Sequence, residues 1–140
     1  MYHSKVSSRG SVAEILTPAQ VIWVADSLRA LRGFPKAAQY NLGYALRQVQ
    51  LGQTPLDSKP MRTVGQGVYE LRDRDDRAWY RVIYLKKIKN EVHVLHCFEK
   101  KTNQTEQKDI DTARQRLKRL KEQQQKELKH GKQGSEVGNA

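Results

Sequence analysis

The chain is poor in cysteine, poor in acidic residues, and has no long apolar run, and each shortage excludes something. A single cysteine, Cys97, cannot form an intramolecular disulfide or supply a thiolate cluster. It sits inside the run VHVLHCF, where a lone cysteine behaves as a small buried hydrophobe, and a reducing compartment suits it. No stretch approaches the roughly 18 apolar residues that a membrane span needs. The opening MYHSKVSSRGS lacks the apolar core of a secretory signal, so a soluble, cytoplasmic protein with no membrane partner is expected. The histidines show no zinc spacing, and a nucleophile elbow, a P-loop and a Rossmann glycine pattern are all missing. No metal and no cofactor are therefore expected, and no internal repeat is visible.

Acid is outnumbered. There are 26 Lys and Arg against 15 Asp and Glu, a formal net charge of +11, so the summed field attracts a polyanion. Charge alone does not separate nucleic acid from a membrane surface or an acidic protein. With 140 residues and 37% hydrophobic content the chain buries one modest core rather than two. The organisation expected is an N-terminal extension over 1–20, one domain over 21–121, and a basic tail over 122–140 that frays from helix into disorder.

Local patterns place the elements. TPAQ at 17–20 has the form of a capping box with proline at the first helical position, which would start a helix at Pro18. VIWVA at 21–25, β-branched and aromatic, reads as a strand and is favoured, with Asp26 or Ser27 capping a short helix through Arg32. A second helix runs from about Pro35 to Leu51, with Ala38, Leu42, Ala45, Leu46 and Val49 on one face. Tyr40 and Tyr44, four apart, are read as packing residues in preference to a base-stacking pair. GVYELR (67–72), WYRVIYLK (79–86) and EVHVLHCF (91–98) are strands joined by DRDDRA and KIKN, connections short enough for hairpins. From Thr105 a last helix carries a narrow stripe of Ile110, Ala113, Leu117 and Leu120. The fold class expected is α+β: two N-terminal helices on a small antiparallel sheet, with a C-terminal helix.

Several cations fall where strands are otherwise apolar. Arg81 lies among Val82 and Ile83, and Arg72 closes the preceding strand. A buried guanidinium needs compensation, so each either pairs with a carboxylate such as Glu70 or Glu99 or opens into a cleft that admits an anion. Lys100 and Lys101 follow directly from the last strand and can share a surface with the two arginines. Arg forks across two phosphate oxygens and Lys supplies point charge. Lys59, Arg62, Lys86 and Lys87 are candidates for the flanking nucleic-acid contact. His96, placed by alternation on the face of Val94 and Phe98, reads equally as a hydrogen-bonded core histidine and as an acid–base group.

GVYELR, YRVIYL and VHVLHCFEKKTNQT followed by KDIDTARQRLKRL, together with WVADSLRALRGFP and the Y-x-L-G-Y-A-L helix, resemble the HigB-type branch of the RelE/ParE toxin superfamily and its phage-derived relatives. The resemblance covers about residues 21–121. It implies a type II toxin that cleaves messenger RNA in the ribosomal A site without a metal. It also implies neutralisation by a separate helix-turn-helix antitoxin, through which alone operator DNA is engaged. By the same resemblance Arg72, Arg81, Lys100 and Lys101 occupy the family's phosphate-holding positions. The chemistry implied is attack of a ribose 2′-hydroxyl on its own 3′-phosphate, with Lys100, Lys101, Glu99 and His96 as candidates for proton transfer. The competing readings are a ParE-like toxin acting on DNA gyrase through protein contacts, and a basic module that grips RNA without cutting it.

Overall fold

Successive strands form here because β-branched and aromatic residues alternate over 68–98 with too few residues between them for helical crossovers. The structure, a computed structural model, describes residues 17–102 and 105–139; the side chains at 87, 88 and 130–139 fall outside that description, as do residues 1–16 of the expected extension. In chain order the elements are β1 (Gln20–Trp23), α1 (Ser27–Arg32), α2 (Lys36–Gln50), β2 (Ser58–Pro60), β3 (Val68–Arg74), β4 (Trp79–Ile88), β5 (Glu91–Lys100) and α3 (Gln107–Asn139). They build one five-stranded sheet in the order β1-β5-β4-β3-β2. All neighbours are antiparallel except β1, which lies parallel to β5 with Val21 opposite Val92.

The two readings of residues 17–25 resolve as the strand. A ladder with β5 satisfies the backbone of Val21–Trp23, and the entry is fastened to the end of α2 by Ala19 N–H donating to Gln50 O (2.9 Å) and Gln50 Nε2 donating to Ala19 O (2.7 Å). The Lys89–Asn90 turn joins β4 to β5 with both residues at positive φ, as a two-residue type I′ hairpin requires. The β3–β4 turn is held by Asp75, whose Oδ1 accepts from the N–H groups of Arg77 and Ala78 at 2.9 Å each. Those backbone donors hold its carboxyl below the usual value. β2 is a short edge strand where the sequence predicts only a connection.

The sheet buries both faces. Against α1 and α2 pack Leu71, Tyr80, Val82, Tyr84, Val92, Val94 and Cys97, meeting Leu31, Phe34, Leu42, Leu46 and Val49. Against α3 pack Val68, Ile83, Leu85, Leu95 and Phe98, meeting Ala113 and Leu117. Burial pushes the Cys97 thiol up to about 12, consistent with its inert role. The helix continues to Asn139, although its apolar stripe ends near Leu120 and Leu128 is largely exposed.

Two sequence readings need correction. Tyr40 and Tyr44 are not packing residues: they are 74% and 62% exposed, because Ala38, Leu42, Leu46 and Val49 already fill the buried stripe of α2. His96 does not share a face with Val94. A register shift sets Ile83 opposite His96 but Tyr84 opposite Val94, so Leu95 and His96 both serve the α3 side and strict alternation breaks.

Candidate functional site

Register decides which side chains can meet. Three rows cross the sheet on its α3 side: Glu70, Ile83 and His96; Arg72, Arg81 and Phe98; Arg74, Trp79 and Lys100. Directly opposed residues share a face, so Arg72, Arg81 and Lys100 come from three adjoining strands to one side of the sheet. Trp79 organises them. Its ring centroid lies 5.4 Å from Arg72 Cζ, 5.0 Å from Arg74 Cζ and 5.3 Å from Arg81 Cζ. Guanidinium groups near an aromatic face are stabilised by its quadrupole, which helps cations on neighbouring strands tolerate one another.

Arg81 is 2% exposed and held by Glu70, itself 4% exposed. Its Nη1 donates to both Glu70 carboxylate oxygens at 3.0 Å and to the Thr105 hydroxyl at 2.9 Å, and that hydroxyl donates to Glu70 Oε2 at 3.0 Å. Of the two carboxylates open to it in the sequence reading, Arg81 takes Glu70. Glu99 lies opposite Tyr80 on the other face, with the exposed Lys101 ammonium 3.8 Å from it. Lys100 is buried to its tip and pairs with Glu106, whose carboxyl is lowered by that contact. Arg72 is half-buried and Arg74 exposed, so these two guanidiniums form the open side of the cluster.

His96 belongs to a different network. Its Nε2 lies 2.9 Å from Asp109 Oδ1, and Arg116 Nη1 donates to Leu95 O (2.8 Å) and lies 3.5 Å from His96 Nδ1. Arg116 Nη2 also donates to Asp26 Oδ1 at 2.8 Å, which ties α3 to β5 and to the start of α1. Burial outweighs Asp109 and holds the imidazole below its usual value. The neutral tautomer with Nε2–H toward Asp109 satisfies both contacts.

The flanking cations divide, Lys59 falling on the face of the arginines and Lys86 on the other. Lys59 is exposed on β2 opposite Glu70, and Arg62 is exposed in the β2–β3 connection. Lys86 Nζ sits 5.2 Å over Tyr69, which stacks with Tyr84 on the α2 side, away from the arginines. The Lys87 side chain lies outside the described residues. Among the described residues, no three His, Cys, Asp or Glu side chains gather as a metal would require, and no helix is long and apolar enough to cross a membrane.

Sequence reasoning missed Trp79, Arg74 and Thr105. Alternation of Glu70, Arg72 and Arg74 on one strand face signals Arg74, and the hairpin register then brings Trp79 to it; nothing local signals Thr105.

A small α+β domain with arginines clustered on one face of an antiparallel sheet is thereby defined. Residues 29–118 match the phage derived protein Gp49-like family (DUF891), and the chain belongs to that family. It is a RelE/ParE-like toxin family, which supports a toxin role and points to an antitoxin partner. A comparison with curated proteins finds no match.

Proposed function

We propose that the chain is a HigB-type toxin that inhibits translation by cutting messenger RNA on the ribosome, at the face built by Arg72, Arg74, Trp79, Arg81 and Lys100. The observation that supports this most is the gathering of three guanidiniums within 5.0–5.4 Å of one tryptophan ring on a rigid sheet. A scissile phosphate at Arg72 and Arg74 is gripped from the open side, while Arg81, fixed by Glu70 and Thr105, adds charge from beneath. These groups stabilise the phosphorane-like transition state formed when a 2′-hydroxyl attacks its own 3′-phosphate. Lys100 of this face is the donor to the leaving 5′-oxygen, and water at the open side takes the proton of the 2′-hydroxyl. His96, engaged by Asp109 and Arg116, serves architecture instead. The chain acts in the cytoplasm with ribosome and mRNA as partners, and meets operator DNA only through its antitoxin.

A second reading is favoured by one observation: Glu70 and Glu106 already occupy Arg81 and Lys100, which suits a module that grips RNA without cutting it. Expression from a tight promoter with mapping of transcript 5′ ends separates the readings. New in-frame ends that vanish in Arg72→Gln/Arg74→Gln support the nuclease. Intact transcripts with retained RNA binding support the grip-only module, and intact transcripts with supercoiling defects support a ParE-like action on gyrase.

A further inference from the structure

Helix α2 turns two stripes in opposite directions. Ala38, Leu42, Leu46 and Val49 are buried against the sheet, whereas Lys36, Tyr40, Gly43, Tyr44 and Arg47, at the spacings of an opposite helical face, are exposed. Among the described residues, five large hydrophobic side chains are exposed, and Tyr40, Tyr44, Leu51 and Leu56 of these belong to α2, its C-cap and the connection after it. Leu56 is 103% exposed. Tyr40, Tyr44 and Leu56 border a recess of about 310 Å³ that also meets Arg72 and Asp73 of β3. A cluster of exposed aromatic and aliphatic side chains flanked by Lys36 and Arg47 has the composition of an interface centre, not of a solvated helix face.

Gly43 is the independent sign. It lies inside a 15-residue helix with ordinary helical backbone, where glycine is less favourable than alanine, and a Cβ there would meet nothing within 4 Å. Nothing inside the fold uses the missing side chain. Outside the fold it leaves a flat place between Tyr40 and Arg47 where another backbone can approach closely. Charge narrows the occupant. Lys36 and Arg47 on the stripe favour an acidic partner, on a chain whose formal net charge is +11. Asp57 and Asp73 line the recess, Asp73 accepting from Asn41 Nδ2 at 3.2 Å, which disfavours a sugar-phosphate strand there and sets a partner's acidic groups against Lys36 and Arg47, with its apolar anchors at the recess.

We infer that this stripe is where the neutralising protein docks, laying an acidic amphipathic helix along α2 with its apolar anchors on Tyr40, Tyr44 and Leu56. Gly43 permits the close approach of the two backbones. The recess opens on the α2 side of β3, beside Leu71 and Asp73, whereas the Arg72 guanidinium lies on the α3 side with Trp79, so the docked helix does not cover the arginine cluster. The inference rests on the toxin reading but not on how the toxin acts.

The test uses the full chain and the purified product of the reading frame adjoining its gene, titrated by calorimetry. Gly43→Glu places bulk and negative charge in open space, so its melting temperature should be at or above that of the wild type and its circular dichroism should match, while affinity falls about 30-fold or more. Tyr40→Ser/Tyr44→Ser should weaken binding in the same direction, and Gly43→Ala should raise the melting temperature. Wild-type affinity in both Gly43→Glu and the double serine variant would overturn the assignment, as would no binding of the adjoining product to the wild type. A loss confined to binding of a single-stranded RNA oligonucleotide would reassign the stripe to nucleobases. Self-association abolished by Gly43→Glu would reassign it to a second copy, and either result overturns the proposal. Growth arrest on inducing the chain alone reads the toxin interpretation separately: arrest with unaltered affinities sinks the docking surface, and absence of arrest sinks the toxin reading beneath it.

Discussion

Replacing Arg81 with methionine removes the guanidinium and leaves the Glu70 carboxylate, 4% exposed, without its cation. An uncompensated buried charge of this kind destabilises by about 3–5 kcal/mol. Thr105 still donates to Glu70 Oε2, a hydrogen bond to a charged acceptor worth roughly 1.5–3 kcal/mol, which places the expected loss near the lower end of that range. Glu70→Leu alone removes the carboxylate that compensates the buried guanidinium and should cost a similar amount. The double variant Glu70→Leu/Arg81→Met removes both charges from a site already walled by Ile83 and Trp79, and should return to within about 1 kcal/mol of the wild type. Urea unfolding followed by the fluorescence of Trp23 and Trp79 measures all four corners of this cycle. A single Arg81→Met loss under about 1 kcal/mol, or a double variant equal to the sum of the singles, would refute the buried-pair account. One consequence concerns function: loss of toxicity in Arg81→Ala reports unfolding as readily as lost chemistry, so Arg72 and Arg74 are the cleaner probes.

On acidification the unfolded chain takes up the His96 proton first, because burial holds the folded imidazole below 6.5; stability is thus complete above that value and falls as pH drops through it. The slope from one such residue is at most about 1.4 kcal/mol per pH unit, His93 adds the same sign, and His96→Gln should flatten the curve between pH 7 and 5; an unchanged curve would count against the assignment. Leu117→Ala, at a side chain 5% exposed between α3 and the sheet, should destabilise by about 2–5 kcal/mol in urea, and a loss below 1 would mean that α3 is not anchored there. We propose that the domain ends near residue 121: deleting residues 123–140 should change stability by less than about 1 kcal/mol and leave growth arrest intact, whereas a chain that fails to fold would move that boundary.

Much of the architecture was legible because it rests on local pattern. The strands around Leu71, Val82 and Val94, the stripe of α2 and the stripe Ile110–Leu120 all follow from periodicity, and the polar hairpins from their length. The face assignment of His96 was not, since a bulge at Leu95–His96 reverses alternation without any local residue signal. The outward turn of Tyr40 and Tyr44 was illegible for a related reason: aromatic residues at helical spacing suit a core or an interface equally, and only the filled opposite stripe decides. At the candidate site, convergence of Arg72, Arg81 and Lys100 on one face followed from strand order. The grip of Thr105 on Arg81 spans 24 positions and depends on how the chain returns across the sheet, which no window of sequence contains.

The most direct test of the central claim is cleavage by the purified chain in a reconstituted translation reaction programmed with one mRNA, read by primer extension. The account predicts a cut within the codon in the ribosomal A site that disappears when the nucleotide on its 5′ side carries a 2′-deoxyribose, and that disappears equally in a stably folded Arg72→Gln/Arg74→Gln variant. Cutting of the deoxy-substituted message at the same rate, or an uncut message under a chain that still arrests growth, would contradict it.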